Sequence, residues 1–423
     1  MFMLDRITEP MLGPTGLDGA FSEDEIAIRD AAHQFARDVM RPIGRELDRM
    51  TAEEVVAAES PIWKFLIAFR DSGLMDLETL DAMTPEQHGR LFPLIFEELG
   101  WGDSGLAILA LASSFPALMA HATGNAELKE RFMGVPGCWI ATQPDRGSDV
   151  PDIDATELHP GSKQNRGNLS ARLVGDEFII TGQSSAWVSV APIAQTGLAY
   201  IPCDYGDGLY NDRGGLHHVA ILVPFDLPGI TKGKPLEKLG QRPLPQGEIF
   251  FNEVRVPARY AIATRDKVVP SLMGALTFGN MEMAATFTGV ARAAFEHALA
   301  YAHERKQGGT AIINHQSVKL RIFDMWRKLE AGRALARRVF TFNYGAQGPH
   351  VLASVTSKTF CTQMALEVTN EAIQIFAGNG LTREYPVEKL WRDARAALIE
   401  DGENNVLALK GGTWLSRWYQ ANH

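Results

Sequence analysis

The sequence predicts a multidomain α+β protein in which a helical part, a β-rich part and a second helical part follow one another. Apolar residues recur at a helical period from about Ser22 to Phe132, strand-like runs fill Trp139 to Val256, and helical segments resume after Pro257. Three domains also suit a chain of 423 residues. The expected domains are an N-terminal helical domain at 1–135, a β-domain at 136–257 and a C-terminal helical bundle at 258–423.

The N-terminal part begins with an amphipathic helix. Ser22 is placed to cap it, and acidic residues follow in the first turn, where they suit the helix dipole. Further helices are expected at Trp63–Leu74, His88–Leu99 and Ser104–Ala122. The last of these is apolar, but serines and Pro116 interrupt it, so we expect a buried helix rather than a membrane span.

The central part has the pattern of a β-domain. Runs such as DEFIITG and GEIFFNEVRV alternate with Gly, Pro and Asn clusters. Pro151–Asn168 and Asp204–Gly215 are polar and rich in turn residues, so we interpret them as loops. The helices expected after Pro257 are Leu276–Arg305, Gln316–Tyr344, Val351–Phe376 and Asn405–Tyr419.

Composition excludes several classes of function. With 41 basic and 51 acidic residues the net charge is −10, which argues against a nucleic-acid or anionic-membrane surface. Cys138, Cys203 and Cys361 lie far apart and form neither a metal-ligand spacing nor a disulfide framework. With no signal-peptide pattern at the N-terminus, these features predict a cytoplasmic protein without a structural metal.

The stretch Gln374–Asn405 carries the densest pattern of candidate chemistry. Its Gly378-Asn379-Gly380 turn allows backbone N–H groups to approach a ligand closely. Asp401 lies between Glu400 and Gly402, just before the last expected helix. From the residues alone, Asp401 is either the cap of that helix or a base in a pocket wall.

Two segments of the β-domain carry polar groups at strand ends. WIATQPDRGSDV offers the hydroxyls of Thr142 and Ser148, and a plain surface loop would have a similar composition. In TGQSSAWVSV, Trp187 has small neighbours and is suited either to stacking on a planar cofactor or to a place in the core. Ser189 adds a hydroxyl two residues further on.

Two more segments carry cations. In ERKQGG, Arg305 and Lys306 end a helix, where they favour its dipole or bind a pyrophosphate. His315 precedes the next helix and has no acidic neighbour at metal-ligand spacing. In KLGQRPLPQGEIFFNEVRVP, Arg242 is the one candidate for chemistry.

These segments, taken in order, resemble the acyl-CoA dehydrogenase family of flavoproteins over nearly the whole chain. ATQPDRGSD is similar to the family's TEPGAGSD loop and GQSSAWVS to its K-x-W-I-T strand. KLGQR, ERKQGG and NHQSV follow at the family's spacing, and QIFAGNGLTREYPVEKLWRDAR is the closest match. The resemblance implies an N-terminal helical domain, a central β-sandwich or barrel and a C-terminal four-helix bundle, with FAD between the last two.

The resemblance also assigns residues to FAD. It implies that Trp139 to Thr142 and Ser148 border the flavin, with Trp187 and Ser189 beside its ring. It places the adenine and pyrophosphate across a subunit interface, which implies a homodimer or homotetramer. The implied cofactor-binding residues are Trp139, Ala141, Thr142, Ser148, Trp187, Ser189, Arg305, His315, Gln316, Gln374, Ala377, Gly378, Gly402, Asn404 and Asn405.

The implied reaction is α,β-desaturation of an acyl-CoA, with an electron-transfer flavoprotein as the usual electron acceptor. Asp401 falls at the position of the family's catalytic glutamate and is one methylene shorter; Glu400 is the neighbour that would replace it. Ser148, Asn280 and Asp401 are the implied substrate-binding residues. Asn280 replaces a basic residue of the family, and the alternative base position offers only Glu282, just beyond it.

Three further departures concern the cofactor side. Gly308 replaces an aromatic residue, Glu403 replaces a threonine, and Gln143 replaces a glutamate of the family. Asp401 and Asn280 favour an alternative, a flavin oxidase or monooxygenase similar to nitroalkane oxidase. Gly308 and Glu403 leave a third possibility, a non-catalytic subunit that stabilises a homologous partner.

Overall fold

The computed structural model of the chain describes residues 17, 21–147, 149–150, 165–212 and 214–423. Its helices lie on either side of a β-rich part in the chain, as expected. The helices are α1 Glu23–Phe35, α2 Arg41–Leu47, α3 Ala52–Val55, α4 Pro61–Asp71, α5 Leu77–Ala82, α6 Pro85–Gly102, α7 Ser104–Ala122, α8 Ala126–Phe132, α9 Val268–Glu304, α10 Gln316–Asn343, α11 Val351–Phe376, α12 Val387–Ala396 and α13 Asn404–Asn422. The strands are β1 Gly137–Ile140, β2 Ser170–Val174, β3 Glu177–Gln183, β4 Val188–Ser189, β5 Thr196–Asp204, β6 His218–Pro224, β7 Ile230–Lys232, β8 Gln246–Gly247, β9 Ile249–Pro257, β10 Ala261–Thr264, β11 Lys306–Gln307 and β12 Thr310–Ala311.

Side-chain caps start the N-terminal helices where the sequence indicates. The Ser22 side chain accepts from the Glu25 backbone N–H, and the Glu25 side chain accepts in return, which completes a capping box at α1. Thr84 and Gln87 form the same pair at α6. The expected role of Ser22 is therefore confirmed.

The central sheet has eight strands in the order β10-β6-β5-β2-β3-β9-β7, with β1 paired to β5. The β1–β5 pair is parallel, and β5 pairs antiparallel with β6. Ala261–Thr264 continues the sheet after Pro257, where the sequence predicted only helices. This strand has only four residues and was missed because so short a run shows no clear alternating apolar pattern.

The long C-terminal helices match the expected segments closely. Helix α10 ends at Asn343, one residue before the expected end, and α11 has the expected bounds. Helix α9 begins at Val268, eight residues before the expected start. Pro270 lies in its first turn, where the missing N–H of proline costs no helical hydrogen bond.

Among the described helices, only α7 is long and apolar enough to cross a membrane. Within the protein, 50% of its most apolar 18-residue stretch is buried. A core helix of a soluble protein meets the same criteria. Residues Ser104 to Ala110 are all buried, whereas most of the residues from 111 to 122 are half-buried or exposed. The expected buried helix is therefore found for its first part only.

The chain divides into two compact units. The first comprises the residues up to Met40, Leu80–Ser104 and Gly279–Leu398; the second comprises Arg41–Thr79, Gly105–Phe278 and Ile399–His423.

A buried ion-pair network crosses the helices of the first unit. Arg292 on α9 donates to Glu97 and Glu98 on α6, and Arg333 on α10 contacts Glu97. Burial by itself raises the pKa of Glu98, but the Arg292 guanidinium and His33 outweigh it and lower that pKa to about 2. The network ties α6, α9 and α10 together through charges that are costly to bury unpaired.

Candidate active site

The end of strand β1 is joined to the segment before β4 through hydroxyl groups in the second unit. Thr142 Oγ1 lies 2.6 Å from Ser185 Oγ, and the Ser185 N–H donates to the Thr142 carbonyl. The Trp187 N–H donates to the same Ser185 hydroxyl at 3.2 Å. The structure thus places two segments that the sequence assigned to one site side by side, with Ser185 as the link.

Trp187 presents its ring to the outside and is 63% exposed. The alternative place for Trp187, in the hydrophobic core, is therefore wrong. An exposed indole beside the half-buried Ser189 is a suitable platform for a planar ligand with a polar edge.

The backbone beside Ser189 is strained. Val190 has a φ of 70°, a value that β-branched residues rarely adopt, and its side chain is fully buried. The Val190 N–H donates to the Pro245 carbonyl at 2.7 Å. Strain of this kind persists only where the surroundings enforce it, and it is concentrated at functional sites.

Trp139 and Ala141 lie at the exit of β1. The Trp139 ring packs 5.6 Å from Phe115 and 6.2 Å from Tyr200 between ring centroids. Its Nε1 is buried and has no hydrogen-bond partner among the described residues. A buried indole N–H requires an acceptor, so an acceptor from a bound ligand or a water molecule would complete this corner.

Asp401 occupies the left-handed region of the backbone, with a φ of 48°, and Gly402 follows with a φ of 98°. A Cβ at Gly402 would lie 2.7 Å from Leu407 Cδ2. Position 402 therefore requires glycine both for its positive φ and for the lack of space for a side chain. The pair forms a tight turn directly before α13.

Glu403, rather than Asp401, caps helix α13. Its carboxylate accepts from the backbone N–H groups of Asn405 and Val406 at 2.9 and 3.1 Å. The interpretation of Asp401 as the helix cap is therefore wrong, because Glu403 already satisfies the first amides. This cap also accounts for glutamate at position 403, and Asn405 Nδ2 donates to it at 2.8 Å.

Glu400, which precedes Asp401, is held by a residue that the sequence did not single out. Gln241 Nε2 donates to Glu400 Oε2 at 3.0 Å. Gln241 is fully buried and itself has a φ of 48°. Arg242, the candidate in the same segment, donates to the Met50 carbonyl at 2.9 Å and thus has a structural role.

The first unit contains the residues assigned to the pyrophosphate and adenine. Arg305 directly follows α9, and a two-residue hairpin turn, Gly308-Gly309, comes next with φ values of 61° and 81°. These values demand glycine, which explains the loss of the family's aromatic residue at position 308. His315 Nε2 lies 3.0 Å from the Gln307 carbonyl and holds the hairpin against the start of α10.

The N-terminus of α10 lies within the same short segment as these cations. His315 occupies its N-cap position without a side-chain cap, and Gln316 is exposed at its first turn. Backbone N–H groups at the start of a long helix, with Arg305 and Lys306 close in sequence, provide a favourable environment for a phosphate group.

The Gln374–Gly380 segment is fixed by aromatic contacts. Tyr301 stacks on Phe376 with ring centroids 4.0 Å apart, and Asn379 Nδ2 donates to the Tyr301 hydroxyl at 2.9 Å. Ala377 has φ 53° and ψ −132°, which is strained for any residue with a Cβ. Gln374, Ala377 and Gly378 are exposed, so they are available to a ligand or a neighbouring chain.

Several assigned residues have other surroundings. Asn280 is fully buried on α9. Gln143 donates from Nε2 to the Leu169 carbonyl and accepts the Leu169 N–H at Oε1, two bonds that a glutamate carboxylate would not both make. Ser148 lies outside the described residues, as does the loop at 151–164.

Five of the six described non-glycine residues with positive φ lie in or beside the segments that the sequence singled out, namely Val190, Gln241, Glu253, Ala377 and Asp401. Val190 and Gln241 were missed because a φ value leaves no mark in composition or periodicity. A backbone that is strained repeatedly at the assigned segments supports a functional site there.

Comparison with known proteins identifies the fold. The glutaryl-CoA dehydrogenase of Mycobacterium smegmatis, solved in complex with FADH2, superimposes with a TM-score of 0.77 at 20% identity, covering 93% of this chain and 95% of that one. The architecture of helices, sheet and helices is thus that of the acyl-CoA dehydrogenases.

Sequence comparison agrees with the fold. Residues 269–415 match the family described as acyl-CoA dehydrogenase, C-terminal domain. The cyclohexane-1-carbonyl-CoA dehydrogenase of Geobacter metallireducens is 29% identical over 92% of this chain and 96% of its own. The cyclohex-1-ene-1-carbonyl-CoA dehydrogenase of Syntrophus aciditrophicus is 27% identical over 80% of each chain. Residues 269–415 thus match the C-terminal domain of the acyl-CoA dehydrogenases, and homologues that span most of the chain are acyl-CoA dehydrogenases.

Proposed function

We propose that the protein is an FAD-dependent acyl-CoA dehydrogenase that desaturates the α,β-bond of an acyl-CoA thioester. The similarity to acyl-CoA dehydrogenases supports the reaction class, and the turn at Asp401-Gly402 carries the assignment of the base. In this turn Asp401 adopts a left-handed backbone conformation, and Glu403 rather than Asp401 caps the following helix.

The chemistry of the residues fits FAD. Exposed Trp187, half-buried Ser189 and the orphaned Nε1 of Trp139 offer one aromatic face and two polar groups for a planar ring with hydrogen-bonding edges. In the first unit, Arg305 and the start of α10 offer positive charge for a pyrophosphate. Bound FAD would supply the two-electron acceptor that desaturation needs.

The protein's own residues have three tasks in this reaction. Asp401 accepts the α-proton at its carboxylate, which is general-base catalysis. Trp187 and Ser189 orient the cofactor, and Gly402 allows close approach of the backbone beside the base. Asn280 and Ser148 remain proposed substrate contacts.

We also propose a cytoplasmic homodimer or homotetramer that passes electrons to an electron-transfer flavoprotein. The exposed Gln374–Gly378 segment supports the assembly, because the family resemblance assigns it to the cofactor of a neighbouring chain. The two ring-bearing substrates named for the relatives suggest that cyclic acyl-CoAs belong first in any substrate panel.

The test is anaerobic absorbance spectroscopy of the purified protein. We expect bound FAD whose visible absorbance disappears when a cyclic, branched or straight-chain acyl-CoA is added. Retention of full absorbance across the panel would refute the proposal. Protein that purifies without FAD and gains activity only with a homologue would indicate the non-catalytic subunit instead.

The oxidase alternative rests on Asp401 in place of glutamate. Measurement of oxygen uptake with an oxygen electrode distinguishes an oxidase from a dehydrogenase, since an oxidase consumes oxygen rapidly with a nitroalkane or another non-CoA substrate. We expect a reduced flavin that survives in air for far longer than one turnover and no response to nitroalkanes.

A further inference from the structure

A chain of hydrogen bonds runs to Ser189 through Lys238 and Gln246, two residues to which the sequence analysis assigned no role. Lys238 Nζ donates to Gln246 Oε1 at 2.8 Å and to the Leu244 carbonyl at 2.7 Å. Gln246 Nε2 in turn donates to Ser189 Oγ at 3.1 Å and to the Trp187 carbonyl at 3.2 Å.

The donor and acceptor roles along this chain follow from chemistry. A lysine ammonium only donates, so the Gln246 amide must present its oxygen to Lys238. Its NH2 group then faces Ser189, and an amide nitrogen also only donates. The Ser189 oxygen is therefore the acceptor of this bond, and its own proton is directed elsewhere.

The backbone pairing of the two strands also keeps Gln246 next to Ser189. Ser189 lies directly opposite Gln246 in the antiparallel β4–β8 pair, so the two side chains share one face. Gln246 is only 5% exposed, and water therefore competes little for its amide. The strained Val190, bonded to Pro245, prevents the strand end from rotating away.

We propose that Lys238 and Gln246 are positioning residues that orient the Ser189 hydroxyl as a hydrogen-bond donor toward an acceptor atom on the edge of the bound flavin. This inference rests on the proposed function, because it takes FAD as the ligand beside Trp187 and Ser189. Lys238 fixes the amide of Gln246, and Gln246 fixes the direction of the serine proton.

The decisive variant is Gln246→Glu, which keeps the shape and an oxygen for Lys238 but replaces the donor to Ser189 by an acceptor. The serine proton would then turn to the new carboxylate and leave the flavin. We expect apoprotein of this variant to bind FAD about tenfold more weakly in fluorescence titration, as expected for one lost hydrogen bond. We also expect a displaced visible absorption band of the bound flavin.

Two further variants keep the test interpretable if Gln246→Glu folds poorly. Ser189→Ala should weaken FAD binding to a similar extent, and adding Gln246→Glu to it should cause no further loss, because both act through one hydroxyl. Lys238→Met should give a smaller loss of about two- to threefold, because the amide is then free to flip. Lys234→Met, an exposed lysine paired with Glu53, is the matched control and should leave binding unchanged.

The outcomes separate the two proposals. A wild-type apoprotein that does not bind FAD overturns the proposed function and this inference together. A wild-type apoprotein that binds FAD, with Gln246→Glu equal to it in affinity and spectrum, overturns only the inference. If the double variant with Ser189→Ala and Gln246→Glu loses as much FAD affinity as the two single variants combined, the inference is also overturned.

Discussion

At the scale of single residues, the candidate site is marked by backbone geometry. Asp401 adopts φ 48°, a conformation that aspartate and asparagine tolerate better than glutamate does. The change from the family's glutamate to aspartate therefore suits the turn that carries it. The shorter side chain is compatible with catalysis only if this turn brings the backbone nearer to the substrate.

The role of Asp401 as the base is tested by Asp401→Asn, since asparagine keeps the left-handed backbone and the side-chain shape. We expect FAD to remain bound while exchange of the α-protons of an acyl-CoA with D2O, followed by NMR, falls by at least about 10²-fold. Glu400→Gln is the matched control, because it keeps an oxygen for Gln241 and should preserve exchange. Equal exchange rates in both variants would remove Asp401 from the mechanism.

Strain at Ala377 predicts a stabilising substitution. With φ 53° and ψ −132°, Ala377 lies in a region that glycine occupies readily, and such strain costs about 1–3 kcal/mol. Ala377→Gly should therefore raise the thermal midpoint by about 1–3 °C, after the entropy cost of glycine is subtracted. Ala334→Gly, at an exposed position within helix α10, should lower the midpoint. A lower thermal midpoint in both variants would show that Ala377 is not strained.

At the scale of elements, the sheet holds a neutral histidine next to the loop after β1. Burial, together with the smaller effect of the Arg146 charge, lowers the pKa of His218 on β6 to about 3. Arg146 Nη1 lies 3.4 Å from His218 Nε2. His218 Nδ1 lies 3.0 Å from the Leu216 carbonyl. The imidazole therefore donates from Nδ1 and stays uncharged at neutral pH.

This arrangement predicts loss of stability in acid. The folded pKa lies below the unfolded value of about 6.5, so the unfolded chain binds more protons between pH of about 3 and 6.5. Stability should fall by up to about 1.4 kcal/mol per pH unit as pH drops through that window. In His218→Gln, thermal midpoints measured from pH 7 to 4 should vary less steeply than in the wild type. Parallel curves would contradict a neutral buried His218.

Most elements could be predicted from the sequence, because helices such as α10 and α11 carry apolar residues at a helical period over many turns. Strand β10 could not be predicted, since a run of four residues is too short to show a period. The assigned site residues came from motif resemblance, whereas Gln246, Gln241 and Val190 act through hydrogen bonds and dihedral angles that only the folded chain defines.

At the scale of the whole molecule, helix α10 leaves an apolar surface uncovered. Leu320 and Phe323 are 71% and 59% exposed at adjacent positions on one helix face. The double substitution Leu320→Glu and Phe323→Glu places charges on this surface. We expect it to convert the oligomer to a 46.5 kDa monomer, as measured by light scattering, and to lower the FAD content of the protein. Val174→Glu, at a 46% exposed apolar position on β2, is the control. A wild-type protein that is already monomeric would contradict the proposed assembly.

The central claim is that one protein removes an α-proton by Asp401 and a β-hydrogen by its bound FAD. The most direct measurement is the rate of anaerobic flavin bleaching with acyl-CoA deuterated at the α-carbon and, separately, at the β-carbon. If both hydrogens are removed in this way, we expect bleaching to be slower with each labelled substrate than with the unlabelled one. Bleaching that is indifferent to deuterium at both positions, or absent with every acyl-CoA, would contradict it.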